Sequence, residues 1–145
     1  MKHWLAIALL GIAGGESAPL RAAEDGMQAS RPEVKKEIVA VVEAQLAAFR
    51  QHDARAAYSY ASTRLRAQKP LRIFTSIVQT NYPEIWDNAR AEFGLAWDDG
   101  AAAKVLVHVF AKAGDASYDF MLVKERAGWR IEGVLRHEPA KAEKI

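Results

Sequence analysis

The chain has 145 residues, a length that favours one domain over two. Half of its residues are hydrophobic and 26 % are charged, so the composition excludes wholesale disorder. A formal net charge of +2 is too small to indicate binding to nucleic acid, and the absence of cysteine excludes a disulfide scaffold, a thiol nucleophile and a thiolate metal site.

Residues 1–23 have the features of a secretory signal peptide. Lys2 and His3 give a basic start, the run 4–13 is apolar, and small residues follow as far as Ala23. This apolar run is too short to span a bilayer, which takes about 20 residues. We therefore predict export to the periplasm or the medium, with cleavage between residues 15 and 23 and no stable membrane span afterwards. An uncleaved anchor and a cytosolic helix are the alternatives.

The first helix is predicted to follow a flexible lead-in at residues 24–31. Ser30 and Glu33 have the spacing of a capping box, in which each residue bonds to the backbone amide of the other. Apolar residues then recur at helical spacing as far as Phe49, and the helix is expected to end at His52.

Two further helices are predicted before the strands. Asp53 is placed to cap a short helix over 54–61, and Pro70 opens a third helix. We expect the third helix to end at Tyr82, because the residue that precedes a proline disfavours helical dihedral angles.

Four strands follow, in which polar and apolar residues alternate. Short glycine-containing connectors separate them, as in β-hairpins. Gly94 and Gly133 lie inside strands and predict bends. Three helices followed by an antiparallel meander predict a single α+β domain over 32–137, with the helices on one face of the sheet and a tail at 138–145. The strands are expected at 91–97, 103–111, 117–125 and 129–136.

The second predicted strand is apolar on both faces. Val105, Val107 and Val109 alternate with Leu106 and Phe110. A sheet covered by helices on one side should be polar on the other side, so something else is expected to cover the outer face. We predict a homodimer through this face, and the alternative is a long loop or terminal segment of the same chain.

Several short segments carry a resemblance to a known family. They are Gln45-x-x-x-Phe49, Asp53, Ala57-Tyr58, Ala61-Ser62, Phe74, Ile77-Val78, Tyr82-Pro83 and Gly128-Trp129-Arg130-Ile131-x-Gly133-Val134. The chain resembles the domain-of-unknown-function family 4864 within the nuclear-transport-factor-2-like superfamily. The resemblance implies three helices packed on a curved antiparallel sheet that forms a cone. Thr63 stands where that family usually has proline. Because the family has no assigned activity, the resemblance implies no catalytic residues.

Cone folds of this type enclose an apolar pocket, and a small apolar ligand is expected in it. An enzyme of isomerase or dehydratase type would need a desolvated base, for which Asp119 and His108 are the candidates, with Tyr58 as a hydroxyl donor. The first helix contains no tyrosine for the donor role known from ketosteroid isomerase. The candidate pocket residues are Phe49, Tyr58, Tyr60, Phe74, Tyr82, His108 and Phe110.

Metal and cofactor sites are not predicted. The four histidines, His3, His52, His108 and His137, show no paired metal-ligand spacing, and the chain has no nucleotide-binding or nucleophile-elbow fingerprint. One local basic cluster is either a solvated surface or an anion contact at the rim of the pocket. It consists of Arg64, Arg66, Lys69 and Arg72.

These observations favour an exported non-enzymatic module that forms a dimer and binds a small apolar ligand or a protein partner. Binding to nucleic acid is not expected. One alternative is a small-molecule isomerase or dehydratase with an apolar pocket. The other alternative is a structural accessory domain of an envelope complex.

Overall fold

Five helices and five strands make up the computed structural model, which describes residues 26–137. The helices are α1 (Pro32–Arg50), α2 (Ala54–Tyr58), α3 (Thr63–Gln68), α4 (Leu71–Asn81) and α5 (Pro83–Trp86). The strands are β1 (Gln28–Ala29), β2 (Asn88–Asp98), β3 (Ala102–Ala111), β4 (Gly114–Glu125) and β5 (Gly128–Arg136). The predicted signal peptide and the tail at 138–145 lie outside the described residues. No helix within 26–137 is long and apolar enough to cross a membrane.

The strands form one antiparallel sheet in the order β1-β2-β3-β4-β5. The predicted hairpin turns are confirmed, with positive φ angles at Gly100, Gly114 and Gly128 that residues with a Cβ rarely adopt. Gly94 lies within the register shift between β2 and β3, and Gly133 adjoins the shift between β4 and β5. Both predicted bends are therefore β-bulges, which increase the local twist of the sheet.

The core lies between the helices and the inner face of the sheet, the face that is turned towards the helices. Helix α1 buries one residue per turn, because its apolar side chains recur at the helical period. The sheet buries alternate residues of each central strand. The α+β prediction is thus confirmed. The fully buried side chains include Ile38, Val42, Leu46, Val105, Val107, Val109, Tyr118 and Phe120.

The predicted capping box at Ser30 is wrong, and part of the predicted lead-in forms the strand β1, Gln28–Ala29. The N-cap of α1 is Arg31, which makes no side-chain cap hydrogen bond. The Ser30 hydroxyl instead donates to Asp98 Oδ1 at 2.5 Å, and its amide donates to the carbonyl of Ala96. Ser30 takes these partners because the lead-in contains β1, which pairs with the end of β2 and adds a fifth strand.

The second predicted helix is too long, and two short helices were not predicted. Helix α2 ends at Tyr58 because the following backbone bonds to the sheet. The Tyr60 carbonyl accepts from the Ile131 amide at 2.8 Å, and the Ser62 amide donates to the Ile131 carbonyl at 2.8 Å. The buried Ser62 hydroxyl then caps α3. Pro83 ends α4 as predicted and also begins α5, since proline fits the first turn of a helix.

Candidate functional site

A small apolar cavity lies between α1, α4 and β5. Its volume is about 50 Å³, and its walls include Phe49, Phe74, Val78, Tyr82 and Ile131. Pockets that bury drug-sized ligands measure roughly 300–1,000 Å³. This cavity therefore has room for a few non-hydrogen atoms only.

Polar groups in the cavity wall are few. The buried Gln45 is bonded, since its Nε2 donates to the carbonyl of Ala57 at 3.1 Å. The Tyr82 hydroxyl is buried and has no partner among the described residues. The half-buried Lys69 is the charged residue of the wall. Because an unbonded buried hydroxyl is costly, Tyr82 is the wall residue with a polar group left to satisfy.

Of the predicted pocket residues, Phe49, Phe74 and Tyr82 line this cavity, whereas Tyr60 packs against the core beside it. The Tyr58 hydroxyl lies 2.7 Å from the carbonyl oxygen of Lys69 and 3.0 Å from that of Arg66, and so joins α2 to the end of α3. Its bonding is therefore local.

The placement of His108 and Phe110 in the pocket is wrong. Both project from the outer face, the face of the sheet turned away from the helices, where the two rings meet edge to face at 4.6 Å. Their strand neighbours Val107 and Val109 fill the inner face instead. The alternation along β3 separated the two residue sets correctly, but Phe110 and His108 were assigned to the pocket although their set also contains the charged Lys104.

The three candidate catalytic residues do not converge. Asp119 lies on the outer face, with its Oδ2 3.0 Å from Nε2 of His137. His108 Nδ1 lies 2.7 Å from Ser117 Oγ on the same face. Tyr58 belongs to the helical layer on the other side of the sheet. A general base must lie within hydrogen-bond reach of the proton it moves, and these groups are not arranged around a common substrate position.

Ser117, His108 and Asp115 lie in a row on the outer face without forming a hydrolase triad. His108 Nε2 is 3.9 Å from Asp115 Oδ2, which is too long for a hydrogen bond. The part of the chain that the structure describes also holds no group of three or more His, Asp or Glu side chains suited to a metal ion.

The four predicted anion contacts are dispersed. Arg64 Nη1 lies 3.5 Å from Glu132 Oε2, and Arg66 Nε donates to a backbone carbonyl at 3.2 Å. Lys69 lines the cavity, whereas Arg72 is exposed on α4. Of the four, only Lys69 stands at the pocket.

A second, wider concavity lies on the outer face, and we call it the outer depression. Its volume is about 750 Å³, and residues from β2 to β5 line it. Beside it on β3, Leu106 keeps 37 % of its surface exposed. The predicted two-sided strand is thus present, with apolar side chains uncovered on the outer face. The depression is lined mainly by Met27, Trp97, Lys104, Asp119, Met121, Val123, Glu132 and Leu135.

The two acids of the outer depression have different counter-charges. Glu132 faces Arg64, a permanent cation, at 3.5 Å. Asp119 faces His137 at 3.0 Å, and histidine is a cation only when protonated. Lys104 is exposed on β3 nearby. The surface therefore carries both signs of charge around its apolar centre.

A polar cluster joins α5 to β4 and to the end of β5. Glu84 Oε1 accepts from the hydroxyl of the buried Tyr118 at 2.7 Å and also from Nη2 of Arg136. Burial raises the pKa of Glu84, but the hydrogen bonds and the Arg136 charge outweigh it, so the net pKa is lowered. Burial and the Glu84 carboxylate raise the pKa of the Tyr118 hydroxyl. The cluster thus holds a charged acid and a neutral phenol as a fixed link.

Several residues of the outer depression were not predicted, among them Met27, Trp97, Leu135 and His137. Alternation along β5 places Leu135 and His137 on one face, so this signal was available from the sequence. Met27 and Trp97 meet there only because β1 pairs with β2, and a strand of two residues has no detectable periodicity.

Comparison with known proteins gives a family. No curated protein matches the sequence. The model of a family described as a domain of unknown function, DUF4864, matches residues 31–144, which is most of the chain and includes all five helices and β2 to β5. The chain therefore belongs to the DUF4864 family.

Proposed function

We propose that the chain is an exported, non-catalytic module that associates with a second copy of itself through the outer face of the sheet. The observation that carries this proposal is the uncovered apolar surface around Leu106, Met121 and Val123 on the central strands. Sheets with one free face are normally polar on that face, so an apolar free face favours a partner. The apolar run at 4–13 supports export.

Charge favours a second copy as that partner. A two-fold interface joins the same patch of two molecules, so the patch must complement itself. The outer depression carries Lys104 together with Asp119 and Glu132, and it offers both signs of charge to an identical surface. A strongly acidic partner would be repelled by Asp119 and Glu132, and a strongly basic partner would be repelled by Lys104.

Substitution of Leu106 by lysine is expected to convert a two-chain particle into a single chain. A lysine at this place would bury an unpaired charge between the copies, and the dissociation constant should rise at least about tenfold. The mass of the particle is measured by light scattering coupled to size-exclusion chromatography over a range of concentrations. The protein used is the one purified after expression of the full chain.

Ile73→Lys is the matched control. Ile73 is 40 % exposed on α4, on the opposite side of the sheet, so this variant should keep the wild-type mass. A wild-type mass of one chain at every concentration would contradict the proposal, as would a Leu106→Lys variant that remains a dimer. Circular dichroism of both variants establishes that they are folded.

A second candidate function is favoured by the Tyr82 hydroxyl: the cavity binds a small apolar molecule that carries one polar group. The volume of about 50 Å³ limits such a molecule to a few non-hydrogen atoms. 2-Butanone, a small apolar molecule with one carbonyl group, serves as the probe. Because the binding free energy per non-hydrogen atom is bounded, its dissociation constant should be on the order of millimolar.

This second candidate is tested by titration of the ¹⁵N-labelled protein with 2-butanone. Amide resonances of the cavity wall should shift in a saturable way. Val78→Phe should abolish the shifts by filling the cavity, and Tyr82→Phe should weaken binding by removing the hydroxyl. Equal binding by the wild type and Val78→Phe would contradict the assignment.

A further inference from the structure

We propose that association through the outer face is controlled by pH, with His137 as the titrating group and Asp119 as its partner. This inference rests on the proposed function, since it concerns the same surface. It starts from the separation of 3.0 Å between His137 Nε2 and Asp119 Oδ2 at the edge of the outer depression.

Asp119 is the acid whose charge balance changes with pH. Its side chain is 22 % exposed, lies in the outer depression and becomes still less hydrated when a second copy covers it. Burial of a carboxylate is costly unless a cation and hydrogen bonds compensate it. Glu132 keeps such a cation at every pH in Arg64, whereas Asp119 has one only while His137 is protonated.

Among the ion pairs of the described residues, Asp119 has no arginine or lysine partner, and His137 is its one cationic neighbour. In the sheet, Asp119 stands between Leu106 on β3 and Leu135 on β5. His108 is the other histidine of this face, and its Nε2 lies 3.9 Å from Asp115. The remaining ionisable side chains on the strands of this face are Arg90 and Glu92 on β2, Lys104 on β3, Glu125 on β4, and Arg130 and Glu132 on β5.

The direction of the effect follows from the charges. Histidine is the side chain that ordinarily changes charge between about pH 8 and about pH 5.5, and it gains a proton as the pH falls. Covering the surface favours the protonated pair, because the cation compensates the buried carboxylate. The contribution to association is therefore fully present at low pH and is lost as pH rises through the titration of His137.

Sedimentation equilibrium of the full chain at about pH 8 and about pH 5.5, at constant ionic strength, tests the proposal. The dissociation constant should fall at least about tenfold at the lower pH, since a symmetric dimer contains two such pairs. The His137→Arg variant should form its dimer at both pH values as tightly as the wild type does at the lower pH. Asp119→Asn should also lose the pH dependence.

His52→Gln is the matched control. His52 forms the corresponding pair with Asp87 at 3.2 Å in the helical part of the molecule, away from the outer face. This variant should keep the full pH dependence, and so should His108→Gln. The assignment of the pH effect to His137 would be wrong if His108→Gln lost the pH dependence of the dissociation constant while His137→Arg kept it.

The outcomes separate the two proposals. A wild type that is monomeric at both pH values contradicts the association itself. A wild-type dimer with equal dissociation constants at both pH values contradicts only the control by pH. A dimer that weakens at the lower pH also overturns the proposed direction.

Discussion

Replacement of Asn88 by leucine is expected to lower the free energy of unfolding by about 3–5 kcal/mol. Asn88 is buried at the start of β2 and connects three elements. Its Nδ2 donates to the carbonyls of Leu46 at 3.0 Å and Ile85 at 2.8 Å, and its Oδ1 accepts from Arg50 Nε at 2.8 Å. Leucine has nearly the same volume but leaves these partners unbonded, and each costs roughly 1–3 kcal/mol.

Urea denaturation of the wild type and three variants measures this effect. Asn88→Asp keeps an acceptor for Arg50 but replaces the Nδ2 donor by a second oxygen, which then faces the two carbonyl oxygens. This variant should therefore also be strongly destabilised. Asn81→Leu changes an exposed asparagine at the end of α4 and should stay within about 0.5 kcal/mol of the wild type. A loss below 1 kcal/mol in Asn88→Leu would contradict the role of the three bonds.

The contrast between Asn88 and the strands shows which features local sequence patterns predict. The alternation of β3 and β4 is visible because each buried residue is two positions from the next. Asn88 reaches Leu46, which is 42 positions away in the chain, and no periodicity contains that relation. The same reason explains Ser30, which has the spacing of a helix cap but bonds to Asp98 through the pairing of β1 with β2.

The sequence predicted which residues of β3 share a face, but it did not identify the face that the helices cover. Alternation assigned Leu106, His108 and Phe110 to one face and the three valines to the other. The choice of the helix-covered face needs a difference in polarity, and on β3 that difference is small: Lys104 and His108 share the face of Leu106, whereas the valine set has no polar side chain. The valine face, which carries no polar side chain, is the buried one. His108 and Phe110 were therefore assigned to the pocket although they project away from it.

The link between Glu84, Tyr118 and Arg136 is expected to make stability depend on pH in the acid range. The pKa of Glu84 is lowered in the folded chain, so the carboxylate contributes stability above its unfolded value of about pH 4.3. That contribution is lost as pH falls through the lower pKa of the folded state. At neutral pH, Glu84→Gln should cost about 2 kcal/mol, because Arg136 loses its counter-charge and the Tyr118 hydroxyl loses a charged acceptor.

The difference between Glu84→Gln and the wild type should therefore shrink when urea denaturation is repeated at about pH 3. Tyr118→Phe removes only the hydroxyl bond and should cost about 1.5–3 kcal/mol at neutral pH. Glu33→Gln is the matched control, since Glu33 faces Arg31 at 3.7 Å in an exposed pair that should contribute little. A difference for Glu84→Gln that is as large at low pH as at neutral pH would mean that its carboxylate does not act through its charge.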